Sequence, residues 1–157
     1  MPDLPGADHP NVHTYTSYIL EHAPWPIDEN VTLIGHSSGA VEILHLLQNL
    51  PADKKVKAAI FVGAFTKELA SHPNWNMLTG LFLDPFDFAL IKSKAAHITF
   101  VHSEDDPHCP LEQARYLAGE LAAELVIFPD KKHFSVNTDP SFTKFPEILD
   151  IINKASV

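Results

Sequence analysis

The 157-residue chain is poor in cysteine and in basic residues. Cys109 is its one cysteine, so no disulfide can form within the chain, which is typical of a reducing compartment. Lysine and arginine together number 11 against 20 acidic residues, and they form no cluster. The resulting formal charge of −9 disfavours a nucleic-acid partner, because phosphate backbones attract basic surfaces.

Long apolar runs and targeting signals are also missing. No run approaches the roughly 18 residues that span a bilayer, and the first residues lack the pattern of a signal peptide. We therefore predict a cytoplasmic protein with no membrane partner. The length and the hydrophobic share of 45% are those of an ordinary globular protein, so we expect residues 1–157 to form a single domain.

The apolar pattern predicts helices that alternate with strands. The predicted strands are short apolar runs, at 31–34, 58–62, 97–101 and 125–128. The predicted helices show helical spacing and lie near prolines, at 12–23, 38–50, 110–122 and 144–152. This order is typical of the α/β class, in which helices cover both faces of a parallel sheet, here of about four strands, as a three-layer sandwich. Such folds bind ligands beyond the carboxyl ends of the strands.

The stretch after the first predicted strand, Gly35 to Gly39, reads G-H-S-S-G and fits the G-x-S-x-G motif with Ser37 at its centre. A strand before the motif and a helix after it create a sharp turn that lifts the hydroxyl of Ser37 above the sheet. The turn also places the N–H of Ser38 at a helix N-terminus, where an oxyanion could be bound. The alternative is an ordinary strand-to-helix turn in which Ser38 caps the helix.

A nucleophilic serine needs a base and an acid that orients the base. The loop after the third predicted strand contains Asp105 and Asp106, and the loop after the fourth contains His133. We favour Asp106 as the acid because it precedes a turn that ends at Pro110. A solvated acidic turn and a surface histidine are the alternatives. His36 lies within the elbow and is interpreted as a packing or hydrogen-bonding residue.

The acidic loop permits a competing interpretation as a metal site. His102, Asp105, Asp106 and His108 are ligand types for zinc or iron. Their spacing does not place them on one helix face, so we predict neither a metal nor another cofactor. Cys109 has no glycine elbow around it and is expected to fill space rather than to act as a nucleophile.

The segment 65–95 is the longest insertion and is rich in aromatic and apolar residues. Phe65, Trp75 and Leu78, together with Leu81, Phe82 and Phe86, could form the wall of a pocket for an apolar acyl group. The same residues could instead be core beneath a lid.

Taken together, these motifs resemble the retinoblastoma-binding-protein-nine type of small serine hydrolases, within the α/β-hydrolase superfamily. The resemblance is carried by M-P-D at 1–3, I-G-H-S-S-G-A at 34–40, S-x-D-D-P at 103–107 and H-F at 133–134. It implies a triad of Ser37, Asp106 and His133 and the hydrolysis of a small-molecule ester or amide, as in a carboxylesterase.

The resemblance also implies strands ahead of the M-P-D segment, with a glycine-rich loop that supplies a second oxyanion donor. Without them, the strand that begins at Val31 and ends at Ile34 would be an exposed edge that invites a homodimer. Loss of one oxyanion donor typically costs about 100-fold to 1,000-fold in rate. A weakly active enzyme, or an inactive binding protein on the same scaffold, is therefore the alternative expectation.

Overall fold

The fold is a four-stranded parallel sheet with helices around it, in a computed structural model that describes residues 3–66, 69 and 75–155. The strands lie in the order β1 (Thr32–His36), β2 (Val56–Val62), β3 (Ala95–Ser103) and β4 (Glu124–Phe128). The helices of the described residues are α1 (Val12–His22), α2 (Ser38–Asn49), α3 (Trp75–Leu78), α4 (Phe88–Ser93), α5 (Leu111–Leu121) and α6 (Glu147–Lys154). The predicted α/β architecture is confirmed.

Strand β2 shows how the two faces of the sheet are covered. Ala59 and Phe61 point to one face, where they join a buried cluster with side chains from α2, α4 and α5. Ile60 and Val62 point to the other face and pack near three isoleucines of α6. Because side chains alternate along a strand, one apolar run supplies both cores, and each buried isoleucine, valine or phenylalanine side chain contributes about 1.5–3 kcal/mol.

The observed boundaries differ from the predicted ones in ways that matter for the site. Strand β1 continues through His36 because its last residues pair with Phe61 and Val62 of β2, so Ser37 follows the strand directly. The final helix begins at Glu147 rather than at residue 144. In its described positions, the predicted insertion forms the short helices α3 and α4 and a 3-10 turn at Thr79–Leu81. Its positions 67, 68 and 70–74, like positions 1 and 2 of the M-P-D segment, lie outside the described residues.

Within the described part of the chain, β1 is an edge of the sheet and pairs with β2 alone. Its Ile34 side chain is 46% exposed, which is high for an apolar strand residue. Association of two copies through this edge stays a prediction. In the same described ranges, no helix combines the length and apolar character needed to cross a membrane.

Candidate active site

The predicted elbow around Ser37 is a strained turn between β1 and α2. Ser37 has φ +56° and ψ −122°, a conformation that costs a residue with a side chain about 1–3 kcal/mol. The turn is held because the N–H of Ser37 donates to the carbonyl of Val62 at 2.9 Å. A side chain at Gly35 would clash with the Gly39 backbone and lie 2.6 Å from its carbonyl carbon, so the turn requires glycine there.

The two serines of the elbow occupy different positions. Ser37 is at the N-cap of α2, but its side chain makes no capping hydrogen bond. Ser38 is the first helical residue, so its N–H has no acceptor within the helix. Gly39, in contrast to Gly35, has open space where a side chain would begin. The turn therefore does not require glycine at position 39. The absence of a side chain there instead leaves open space in the cavity beside Ser38.

Three predicted residues, remote in sequence, form one chain of hydrogen bonds. His133 Nε2 lies 3.0 Å from the hydroxyl oxygen of Ser37, and His133 Nδ1 lies 2.7 Å from Asp106 Oδ2. A carboxylate accepts only, so Nδ1 carries the proton and Nε2 is left to accept from the hydroxyl. This is the tautomer that a general base for Ser37 requires.

Asp106 is almost fully buried, with 1% of its side chain exposed, yet its pKa is lowered. Burial by itself would raise this pKa. The hydrogen bond from His133 and those from the N–H groups of Cys109 and His108, at 2.9 and 2.8 Å, outweigh it. The carboxylate therefore stays ionised, and all its contacts favour the charged form.

The neighbouring Asp105 has a different structural role. Its carboxylate forms an ion pair with Lys132 Nζ at 2.8 Å and accepts hydrogen bonds from the Lys132 N–H and the Ser103 hydroxyl. The Lys132 and Ser103 hydrogen bonds lower the pKa of Asp105 to about 2. Asp105 thus ties the loop after β3 to the loop that carries His133, while Asp106 contacts His133 itself.

The loop that carries His133 is fixed by further contacts, among them a hydrogen bond of His36, for which the sequence predicted a packing or hydrogen-bonding role. His36 donates from Nε2 to the backbone carbonyl of His133 at 2.7 Å, and burial lowers the pKa of His36, which favours the neutral ring. Phe134 is buried against the sheet with φ +50°. Gly63, with φ +58°, lies beneath the pair: a side chain there would start 3.1 Å from His133 Cε1 and 3.8 Å from Asp106 Oδ2. A glycine directly after a buried strand was the one available signal.

The structure does not gather the four residues of the competing metal interpretation. Among the described residues, the potential ligand atoms that lie together, within 4.8 Å of one another, belong to Asp106, Cys109 and His133. His102 is fully buried and donates to the carbonyl of Cys109 at 2.8 Å. Burial and the nearby Asp106 raise the pKa of the Cys109 thiol, which disfavours the thiolate that binds metals.

A cavity of about 910 Å³ opens in front of Ser37 and His133. Phe65 and Leu78, two of the predicted substrate-binding residues, line it. Trp75 is not among the lining residues and instead stacks on Phe82, with ring centroids 5.4 Å apart. Phe65 is itself almost fully buried, so it belongs to the core as well as to the cavity wall.

Comparison with known proteins places the chain in a family. Residues 6–154 match the model of the family described as serine hydrolase. The chain belongs to the serine hydrolase family. It is 31% identical over 125 residues to the serine hydrolase RBBP9 of Rattus norvegicus, and 31% identical over 126 residues to the putative hydrolase YdeN of Bacillus subtilis. Each match covers 80% of the chain, and the chain spans 61% and 64% of these relatives.

Two solved structures share the fold. The crystal structure of the B. subtilis ydeN gene product superposes with a TM-score of 0.83 at 26% identity, covering 98% of this chain and 80% of that one. The esterase EaEST of Exiguobacterium antarcticum gives a TM-score of 0.65 at 16% identity, covering 97% of this chain and 76% of that chain. The second likeness concerns the fold alone.

Proposed function

We propose that the protein hydrolyses small esters or amides, with Ser37 as nucleophile, His133 as general base and Asp106 as the acid that orients His133. The proposal rests on the unbroken hydrogen-bond chain from the Ser37 hydroxyl through His133 to the Asp106 carboxylate, with distances of 3.0 and 2.7 Å. Membership of the serine hydrolase family supports the reaction class.

The proposed reaction is acyl transfer to water. His133 Nε2 takes the proton of Ser37 as the hydroxyl oxygen attacks the carbonyl carbon, and Asp106 stabilises the imidazolium. The N–H of Ser38 donates to the developing oxyanion. His133 then protonates the leaving alcohol or amine, which leaves an acyl group on Ser37. Attack by water, again with His133 as base, releases the acid and restores the serine.

The apolar part of the cavity favours an acyl group with hydrocarbon character. Phe65, Leu69, Met77 and Leu78 line it from the insertion, close to His133 and the elbow. Mostly apolar cavities with a few polar groups at the reacting centre are typical of small-molecule sites. Short-chain p-nitrophenyl esters are therefore suitable first substrates.

A fluorophosphonate probe tests the proposal because it forms a stable adduct with an activated serine. We expect one adduct per chain on the wild type, none on Ser37→Ala, and a retained adduct on Ser38→Ala, which keeps the backbone N–H. His133→Ala should slow labelling strongly. If the folded wild type forms no adduct between about pH 6 and 9, the chain is instead an inactive binding protein on this scaffold.

A further inference from the structure

His36, the last residue of β1, contacts the same histidine as Ser37, the residue that follows it. His36 Nε2 donates to the backbone carbonyl of His133 at 2.7 Å, and the Ser37 hydroxyl oxygen lies 3.0 Å from His133 Nε2. The His36 and His133 rings also contact each other, with centroids 4.8 Å apart. Two adjacent residues of the elbow therefore hold one residue that lies 97 positions after His36, one of them at its backbone and the other at its ring.

The loop that carries His133 is strained and needs support from outside. Lys132 and Phe134, on either side of His133, both have φ +50°, in the left-handed region that residues with a side chain rarely adopt. Strain of this kind persists where contacts with the surrounding structure hold it. The elbow supplies such contacts at His133 itself, and among the described residues they are the bonds of His36 and Ser37.

Of these two bonds, the one from His36 is independent of the reaction. The bond between Ser37 and His133 Nε2 changes during the proposed reaction, because its proton moves to the ring and then to the leaving group. The His36 bond ends on the backbone of His133, so it can stay in place through every step. It also fixes the point from which the imidazole reaches Ser37, because a short side chain joins the ring to that backbone.

The charge of His36 matters because of the groups that surround it. Those that face His36 are His133, from the loop after β4, and Asp106, from the turn after β3, and His102 and His108 lie on other sides of His133. A positive charge on His36 would oppose formation of the His133 imidazolium, because the two rings are in contact. Although His36 is partly exposed, burial lowers its pKa, and a neutral ring still donates from Nε2.

We propose that His36 is a positioning residue for the general base, and that it acts as a neutral hydrogen-bond donor which holds the His133 backbone from the elbow. This inference rests on the proposed function. The nucleophile and the support of its base are then adjacent in the chain, so any movement of the elbow displaces both together. His36 needs no contact with the substrate for this role, although it lines the cavity.

Substitutions of His36 separate the hydrogen bond from the charge. Glutamine keeps a neutral N–H donor close to the position of Nε2, leucine removes the donor at similar size, and lysine keeps a donor but adds a permanent charge. The control makes the same substitutions at His97, an exposed residue of β3 that does not line the cavity. The constants kcat and KM for p-nitrophenyl butyrate are measured from about pH 5 to 9.

We expect kcat in His36→Leu to fall about 10-fold to 100-fold with little change in KM, because a displaced imidazole transfers protons poorly. His36→Gln should recover most of that loss. In His36→Lys the acid limb of the kcat/KM profile should move to lower pH by about 1 pH unit, because the added charge disfavours protonation of His133. The His97 variants should keep the wild-type kcat and pH profile.

Two outcomes would overturn the donor role: a wild-type kcat in His36→Leu, or equal losses in His36→Leu and His36→Gln, with melting temperatures that show the proteins to be folded. An unmoved acid limb in His36→Lys would contradict the need for a neutral donor. That comparison of lysine with glutamine does not require the leucine variant to fold.

Amide hydrogen exchange in the Ser37→Ala background tests the same contact without turnover. The N–H of Phe134 belongs to the peptide group whose carbonyl accepts from His36, and it donates to the carbonyl of Lys131 at 3.0 Å. Its exchange should be about 10-fold faster in His36→Leu than in His36→Gln. If the wild type neither hydrolyses esters nor forms a fluorophosphonate adduct, the proposed function is wrong, while this exchange still decides whether His36 holds the loop. Equal exchange in the two variants would contradict that role.

Discussion

The turn after β3 and the cavity face of α2 each bury one carboxyl group, and the two groups behave oppositely. Asp106 accepts hydrogen bonds from His133 and from two backbone N–H groups, and its pKa is lowered. Glu42 accepts one hydrogen bond, from Thr16, and burial raises its pKa to about 7. Burial is nearly the same, so the supply of donors decides whether a buried acid stays ionised. Among the described residues, the Asp106 carboxylate has three hydrogen-bond donors, whereas Oε2 of Glu42 has none.

The largest effect should come from Asp106→Asn. An amide in this position can present its NH2 group to His133, which favours the tautomer with the proton on Nε2 and removes the base for Ser37. We expect kcat for p-nitrophenyl esters to fall by about 10³-fold to 10⁴-fold with little change in KM.

The adjacent Asp105→Asn is the matched control for that experiment. Its carboxylate bonds to Lys132 and Ser103 rather than to His133, so the variant should lose less than about 10-fold in kcat. Asp105→Asn should be less stable than the wild type mainly above about pH 4. The pKa of Asp105 is about 2 in the folded protein, so the ionised carboxylate stabilises the wild type at these pH values and loses that effect only on acidification. A greater loss of kcat in Asp105→Asn than in Asp106→Asn would exchange their assigned roles.

The parts of the site that can be predicted from sequence are those with a local pattern or a fixed place in the order of elements. The elbow is local: the pattern of Gly35 and Ser37 between a strand and a helix contains the steric reason for the turn. The order of elements then placed Asp106 and His133 after neighbouring strands, which the parallel register confirms. The family and the fold followed from these motifs.

What the sequence did not predict depends on contacts between distant segments. A hydrogen-bonding role was predicted for His36, but not its acceptor, the carbonyl of His133. Gly63 was marked only as a glycine after a buried strand, and the burial of Glu42 against α1 has no local signature. Trp75 was predicted to bind substrate from its residue type, but its ring stacks on Phe82 outside the cavity lining. Composition shows that aromatic residues are clustered, and only packing decides which of them face a ligand.

The next largest effect concerns stability rather than activity. Glu42 in the unfolded chain loses its proton near pH 4.5, and in the folded protein near pH 7. The folded state therefore binds more protons between these values, and its stability falls as the pH rises through them. Urea unfolding at about pH 4.5 and 7.5 should show the wild type losing about 3 kcal/mol relative to Glu42→Gln, since each pKa unit corresponds to about 1.4 kcal/mol. If the free energies of unfolding of the two proteins changed equally between these pH values, the pKa of Glu42 would not be raised by folding. The contrast between Glu42 and Asp106 would then be wrong.

A smaller effect is expected from Gly63→Ala, which adds a methyl group beside His133 and Asp106 without removing a hydrogen-bonding group. The new methyl would lie 3.1 Å from His133 Cε1, and φ +58° is unfavourable for alanine by about 1–2 kcal/mol. Displacement of the imidazole should lower kcat by about 10-fold to 100-fold and slow fluorophosphonate labelling. Unchanged labelling in a variant with a lowered melting temperature would show that Gly63 serves the backbone alone.

The smallest effect should come from Gly39→Ala, on the cavity face of α2. No atom lies within 4 Å of the position of the new methyl, and replacing glycine by alanine in a helix typically gains about 0.5–1 kcal/mol. The melting temperature should therefore hold or rise, while kcat/KM falls most for esters with bulky acyl groups, because the methyl occupies space beside Ser38. Gly35→Ala is the matched comparison: its methyl would clash with the Gly39 backbone and should destabilise the protein strongly. If both variants were equally stable, the turn would not depend on the absence of a side chain at Gly35, and the two glycines of the motif would be equivalent.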